Sequence, residues 1–165
     1  MTQTHNQPCA IAQALNIFGD NWTWLIIREA FYGVSRFSEF QRNIGIAKNL
    51  LSNRLSTLVE QGIFEKKNVG ENGTRYSYHL TPKGAALRTP LFAILLWGNE
   101  YISGDGNEAV LLTERNTGRQ LTTMSLVSES GEPIEPNDVR AIAGPGANQE
   151  ILDKFENARN LKKQK

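Results

Sequence analysis

Asn49 and Asn53 stand four positions apart, a spacing that puts two side-chain amides one helical turn apart on the same face. An amide that donates and accepts at once can pair bidentately with an adenine edge, a chemistry that distinguishes one base pair from another. Around this pair, Lys48 can reach guanine or a phosphate, and Ser52, Ser56 and Thr57 carry hydroxyls able to donate to phosphate oxygens. Ser38, in a shorter helical stretch upstream, joins the same set. Lys66, Lys67 and Arg75, further on, are cations suited to neutralising phosphates.

The other face of the same stretch explains how such residues would be held. Leu51, Leu55, Leu58 and Val59 recur at helical spacing and predict an amphipathic helix over 47–61, ended by Gly62. Taken alone, that helix could equally be an ordinary solvated one, so the elements around it decide. Upstream, 36–43 reads as a short helix with Ser35 as its cap and with Phe37, Phe40 and Ile44 on one side, and Gly45 supplies the turn into 47–61. Downstream, 63–69 and 74–80 read as two strands, and Asn72-Gly73 between them is a hairpin turn signal. This order predicts a winged helix-turn-helix, whose second helix enters the major groove and whose hairpin reaches the backbone or minor groove.

Two further helices precede the motif. One covers 11–17, with Ile11, Leu15, Ile17 and Phe18 at helical spacing and Gly19 as its stop. The next, 22–31, is apolar on more than one face, can be capped by Asp20 or Asn21, and ends at Gly33. Thr81-Pro82 opens a helix after the wing, and Pro90 is expected to kink or break it before the apolar run 91–97. That run carries more large apolar side chains than so small a domain can cover, which predicts a second copy of the chain as partner. Gly104 to Gly106 marks a boundary between residues 1–103, the DNA-binding and dimerisation domain, and an extension over 104–165. In the extension, 110–115 and 119–127 read as a hairpin about Asn116-Thr117-Gly118, and 151–165 as a weak amphipathic helix with a basic end. The fold class is mainly α with a small β-wing, plus a small C-terminal β-hairpin extension.

The chain resembles a known family at a defined series of residues. They are Cys9, Gly19-Asp20-Asn21-Trp22-Thr23, Arg28-Glu29, Arg36-Phe37-Ser38-Glu39-Phe40, Ile44, Leu51-Ser52-Asn53-Arg54-Leu55, Leu58, Gly62-Ile63-Phe64 and Leu80-Thr81-Pro82-Lys83-Gly84. In this order and spacing they resemble the HxlR-type regulators, relatives of the MarR group, over about 9–101. The resemblance implies a dimeric winged-helix protein that binds double-stranded DNA at a palindromic operator, with the N-terminal and post-wing helices forming the dimer interface. It also implies a role for Cys9, because several HxlR-type proteins are similar in carrying a thiol near this point that senses oxidants or small electrophiles. The plainer reading of a lone cysteine is a small buried hydrophobe. Residues 104–165 match only a minority form of the family, whose extension resembles a zinc ribbon. Here the knuckle-like places read Asn116-Thr117-Gly118 and Ser128-Glu129-Ser130-Gly131, without cysteine, so neither a metal nor a cofactor is expected.

Composition bounds what remains. The 165 residues, 39% hydrophobic and 21% charged, are those of an ordinary folded protein. Residues 1–103 hold ten Lys/Arg against seven Asp/Glu, while 104–165 hold eight against ten, so the positive surplus sits with the candidate reading head. Cys9 is the only cysteine, which excludes an intrachain disulfide. No apolar run approaches the ~18 residues of a membrane span, so a cytoplasmic protein without membrane contact is expected. An enzyme is not expected: His5 and His79 lie in unrelated contexts, and Gly104-Asp105-Gly106 follows no strand that would make it a phosphate loop. Trp22, Trp24 and Trp97 read as core or interface residues, and Arg54 as either an ion-pair residue or a DNA contact. The alternative function is a winged helix used for contact with protein or RNA.

Overall fold

The computed structural model describes residues 5–70 and 75–163, so the Asn72-Gly73 turn lies outside the described residues. The chain forms two compact units, Met1–Leu121 and Thr122–Lys165. The first holds helices α1 (Ala10–Phe18), α2 (Thr23–Phe31), α3 (Phe37–Ile44) and α4 (Lys48–Glu60), then strands β1 (Phe64–Asn68) and β2 (Tyr76–Leu80). A short α5 (Pro82–Ala85) leads to α6 (Arg88–Gly98), which a π-helical turn, Asn99–Ser103, prolongs, and a small hairpin of β3 (Leu112–Thr113) and β4 (Gln120–Leu121) closes the unit. This is a winged helix-turn-helix, with β1 and β2 as the antiparallel wing in register Phe64↔Leu80 to Asn68↔Tyr76.

One core organises the unit. Ile26 and Ile27 of α2, Phe40 of α3, and Leu51, Leu55 and Leu58 of α4 are buried together with Ile46, Ile63 and Phe64. Phe40 meets Phe64 edge to face, 6.3 Å between ring centroids, and so ties the helical motif to the root of the wing. Each such side chain contributes about 1.5–3 kcal/mol by leaving water.

Local signals set most boundaries. The Asp20 carboxylate accepts hydrogen bonds from the backbone N–H groups of Trp22 and Thr23, at 2.9 and 3.1 Å, and so caps α2. Thr81 caps α5 by accepting from the Gly84 N–H at 3.1 Å, with Pro82 in the first helical position. At the end of α4, Gly62 at φ +67° lets its own N–H donate to the Val59 carbonyl and that of Ile63 to the Leu58 carbonyl, which satisfies two terminal acceptors.

Three local expectations are corrected. Arg36, not Ser35, occupies the N-cap of α3, because Ser35 lies extended against the wing and its carbonyl accepts from the Tyr78 N–H at 2.8 Å. The post-wing helix breaks at Ala86 and Leu87 rather than at Pro90. Pro90 falls in the first turn of α6, where a missing N–H costs nothing because it would have no helical partner. The expected strand over 119–127 is divided: Gln120–Leu121 pairs with β3, while β5 (Leu126–Val127) pairs with β6 (Pro133–Ile134). A Gly with positive φ sits in each turn, Gly118 at +69° and Gly131 at +84°, so each tight turn closes its own short hairpin. The second unit contains that β5–β6 hairpin, a 3-10 turn at Pro136–Asp138, and helix α7 (Gln149–Lys163), whose start the Asn148 side chain caps by accepting from the Ile151 N–H at 3.1 Å.

Candidate nucleic-acid interface

The helix-turn-helix sorts its side chains by face. Leu51, Leu55 and Leu58 point into the core, and Lys48, Asn49, Ser52, Asn53 and Ser56 are exposed on the opposite side of α4. From Lys48 to Val59 this helix carries no acid. Thr57 differs from the rest: it is half-buried, and its Oγ1 donates to the Asn53 carbonyl at 3.1 Å, so its hydroxyl proton is held within the helix. Ser38 is exposed in the first turn of α3. Arg36 and Arg42, at the two ends of α3, are exposed as well. Neither is named from the sequence as a DNA contact, and Arg36 stands only in the family resemblance, although cations beside a recognition helix are a usual means of reaching phosphates.

The wing is anchored at its base. An antiparallel bridge joins Arg36 to Ser77, and with the Tyr78 to Ser35 hydrogen bond it lays the entry to α3 beside β2. Nothing local in the sequence announces this pairing, since it joins segments about forty residues apart. Of the wing cations, Lys66 places its Nζ 3.8 Å from the centroid of the Tyr76 ring, and Lys67 lies 2.6 Å from Glu65 in an exposed ion pair. An exposed pair of this kind contributes at most about 1 kcal/mol and is readily exchanged for another anion. Arg75 is exposed just before β2, its N–H near the Asn68 side-chain oxygen at 3.4 Å.

A buried polar frame holds the two helices of the motif. Glu29, 6% exposed, accepts from Arg28 Nη2 at 2.8 Å and from Asn43 Nδ2 of α3 at 2.9 Å, so one carboxylate joins α2 to the end of α3. Arg54 turns inward from α4, with Nε 3.3 Å from Asp20 Oδ1. Of the two roles open to Arg54, the structure gives it the ion pair.

Cys9 is half-buried at the N-cap of α1, and His5 is exposed, its N–H donating to Asn16 Oδ1 at 2.7 Å. Ile11 and Leu15 of α1 are exposed, as are Ile94 and Trp97 of α6 and Tyr101 of its π-helical turn, and no residue of α6 is buried. Trp22 and Trp24 are half-buried, Trp24 against Phe18. Among the described residues no three or more His, Cys, Asp or Glu gather as a metal-binding group, and no helix is long and apolar enough to cross a membrane.

The family model described as HxlR-like helix-turn-helix matches residues 17–105. The uncharacterized HTH-type transcriptional regulator Rv3095 of Mycobacterium tuberculosis is 34% identical over 137 residues, covering 83% of this chain and 87% of that protein. The crystal structure of PA1607, described as a candidate transcription factor, superposes with a TM-score of 0.76 at 37% identity, covering 84% of this chain and 97% of that one. The reduced form of the transcriptional regulator YodB from Bacillus subtilis gives a TM-score of 0.51 at 29% identity, covering 60% of this chain and 100% of that one.

Proposed function

The chain belongs to the HxlR-like helix-turn-helix family of transcriptional regulators, and from that premise we propose that it binds duplex DNA sequence-specifically as a homodimer. The observation that carries this reading is the outer face of α4, where five polar or basic side chains stand exposed on a helix free of acid through Val59. Asn49 and Asn53 read base edges in the major groove. Lys48, Ser52, Ser56 and Ser38 contact the phosphates that flank it, and Thr57 stands at the inner edge of this surface. Lys66, Lys67 and Arg75 bring the wing to the backbone, while Arg36 and Arg42 add charge on the side of α3.

Dimerisation is supported by the apolar side chains that α1 and α6 leave in water. Trp97 is 56% exposed and Ile11 72%, more than isolated surface hydrophobes require when they recur along two helices. A two-fold dimer reads a palindrome whose half-sites lie about one or two helical turns apart. The protein works in the cytoplasm, where its DNA is. Its effector is a small electrophile or oxidant acting at Cys9, where modification adds bulk at the N-cap of α1, next to the apolar face of that helix.

Selection of bound fragments from a random duplex pool, followed by titration, tests the reading. Enrichment of a palindrome, with affinity at least ~10³ above that for random duplex, is the expected result. Tight binding to an RNA hairpin or to a protein, with duplex DNA inert, would replace it by the contact-module alternative.

A further inference from the structure

A cleft of about 520 Å³ opens between α2, α6 and the segment 110–115. Its walls are apolar and aromatic, with Trp24 and Phe31 on one side and Phe92 and Leu95 on the other. Three arginines, Arg28, Arg88 and Arg115, line it, and among its described lining residues there is no acid. Two of the three are held in place: Arg28 donates through Nε and Nη2 to Glu29, and Arg88 sits 5.0 Å over the Phe31 ring. Asn99 Nδ2 donates to the Val110 carbonyl at 2.9 Å and pins the third wall to the end of α6.

We propose that this cleft binds a small aromatic carboxylate. The volume falls within the roughly 300–1,000 Å³ usual for small-ligand sites, and such sites combine apolar walls with a few convergent polar groups. The planar guanidinium fork matches a carboxylate in geometry as well as in charge. Aromatic walls favour a flat hydrophobic body, which a bare inorganic anion lacks. The site is distinct from Cys9, which does not line it.

The position of Arg28 gives the ligand a route to the reading helix. Arg28 holds Oε1 of the Glu29 carboxylate while Oε2 accepts from Asn43, so an anion drawn to Arg28 competes with Glu29 and removes one of the two partners that orient the carboxylate joining α2 to the end of α3. Ligand and DNA are then coupled to the extent that the ligand binds the two arrangements unequally. Only this coupling rests on the DNA-binding reading; occupancy of the cleft does not.

Calorimetry of the full chain with benzoate, benzamide and inorganic phosphate separates the possibilities. One benzoate per chain is expected, with benzamide at least about tenfold weaker, the loss of one charge-assisted contact. A double variant at the exposed arginines, Arg88→Gln with Arg115→Gln, should weaken benzoate about tenfold and leave benzamide unchanged. Leu95→Trp, which fills the cleft, should abolish both. Equal binding of benzoate and benzamide, phosphate binding as tight as benzoate, or full benzoate affinity in either variant would overturn the site. Benzoate should also shift affinity for the selected duplex in the native chain, and in the double variant only at about tenfold higher benzoate, since Arg28 is kept; bound benzoate with unchanged duplex affinity would overturn the coupling. Benzoate binding by a chain that binds no duplex would sink the DNA reading and leave the site standing.

Discussion

Arg54 of α4 points away from the exposed polar face of that helix, its Nε 3.3 Å from Oδ1 of Asp20, the residue that caps α2. The pair links α4 to the start of α2 across the motif. With 23% of the arginine side chain and 9% of the aspartate exposed, it is shielded well beyond an ordinary surface pair. Arg54→Met should therefore cost about 1–3 kcal/mol of stability, because Asp20 keeps its burial and loses a charge partner. Urea unfolding measures that loss, and the salt dependence of DNA binding by the folded variant should be unchanged. Native stability with a flatter salt slope would show Arg54 to be a phosphate contact instead.

Gly84 is fixed by space. A Cβ on it would stand 2.2 Å from the Ile63 carbonyl oxygen, and backbone cannot move aside cheaply. Just before it in the chain, Thr81 Oγ1 donates to the Gly62 carbonyl at 2.6 Å and Lys83 Nζ to that of Gln61 at 2.7 Å. These contacts seat α5 on the turn between α4 and the wing. Gly84→Ala should lower stability by about 1–3 kcal/mol through overpacking, read as a reduced denaturation midpoint. A midpoint within error of the native chain would refute the close approach.

On the proposed reading, Asn53 and Arg75 divide the labour on DNA. Asn53→Ala should remove about 1–3 kcal/mol of discrimination between the selected palindrome and random duplex. Arg75→Ala should weaken both alike and reduce the slope of log affinity against log salt by about 0.9 for the lost phosphate. Titration of both variants on both duplexes at several salt concentrations reads the two effects. If Arg75→Ala erased specificity and Asn53→Ala did not, the wing would be the reading element.

Ile94 and Trp97 are 49% and 56% exposed on a helix with no buried residue. Trp97→Glu should dissociate the dimer at micromolar concentration, since a charge on each copy would be buried against the other. Sedimentation velocity reports the change. A native chain that sediments as a monomer would remove the basis for a palindromic site.

Cys9→Ser should leave operator affinity intact under reducing conditions and abolish its response to diamide and to a quinone. Gel-shift titration before and after treatment makes the comparison. An unaltered response in the variant would move sensing elsewhere in the chain.

The parts of this protein that were legible in its sequence are those governed by neighbours along the chain. The leucine stripe of α4 follows from a period of 3.6 residues, and the cap at Thr81-Pro82 from the needs of a helix start. Helix identity, the wing and the polar face opposite Leu51, Leu55 and Leu58 all came from such local rules. The direction of Arg54 did not, because an arginine at that spacing serves a groove or an ion pair equally well until Asp20 is brought to 3.3 Å. Pro90 misled for a related reason: its effect depends on where the helix begins, and the break at Ala86 and Leu87 turns a breaker into a first-turn residue. The Arg36–Ser77 bridge, the sharing of Glu29 between α2 and α3, and the gathering of Arg28, Arg88 and Arg115 around one cleft join residues far apart in sequence. Only packing of the core around Phe40 and Phe64 brings such groups within hydrogen-bonding or Coulombic range, and no local periodicity encodes that distance.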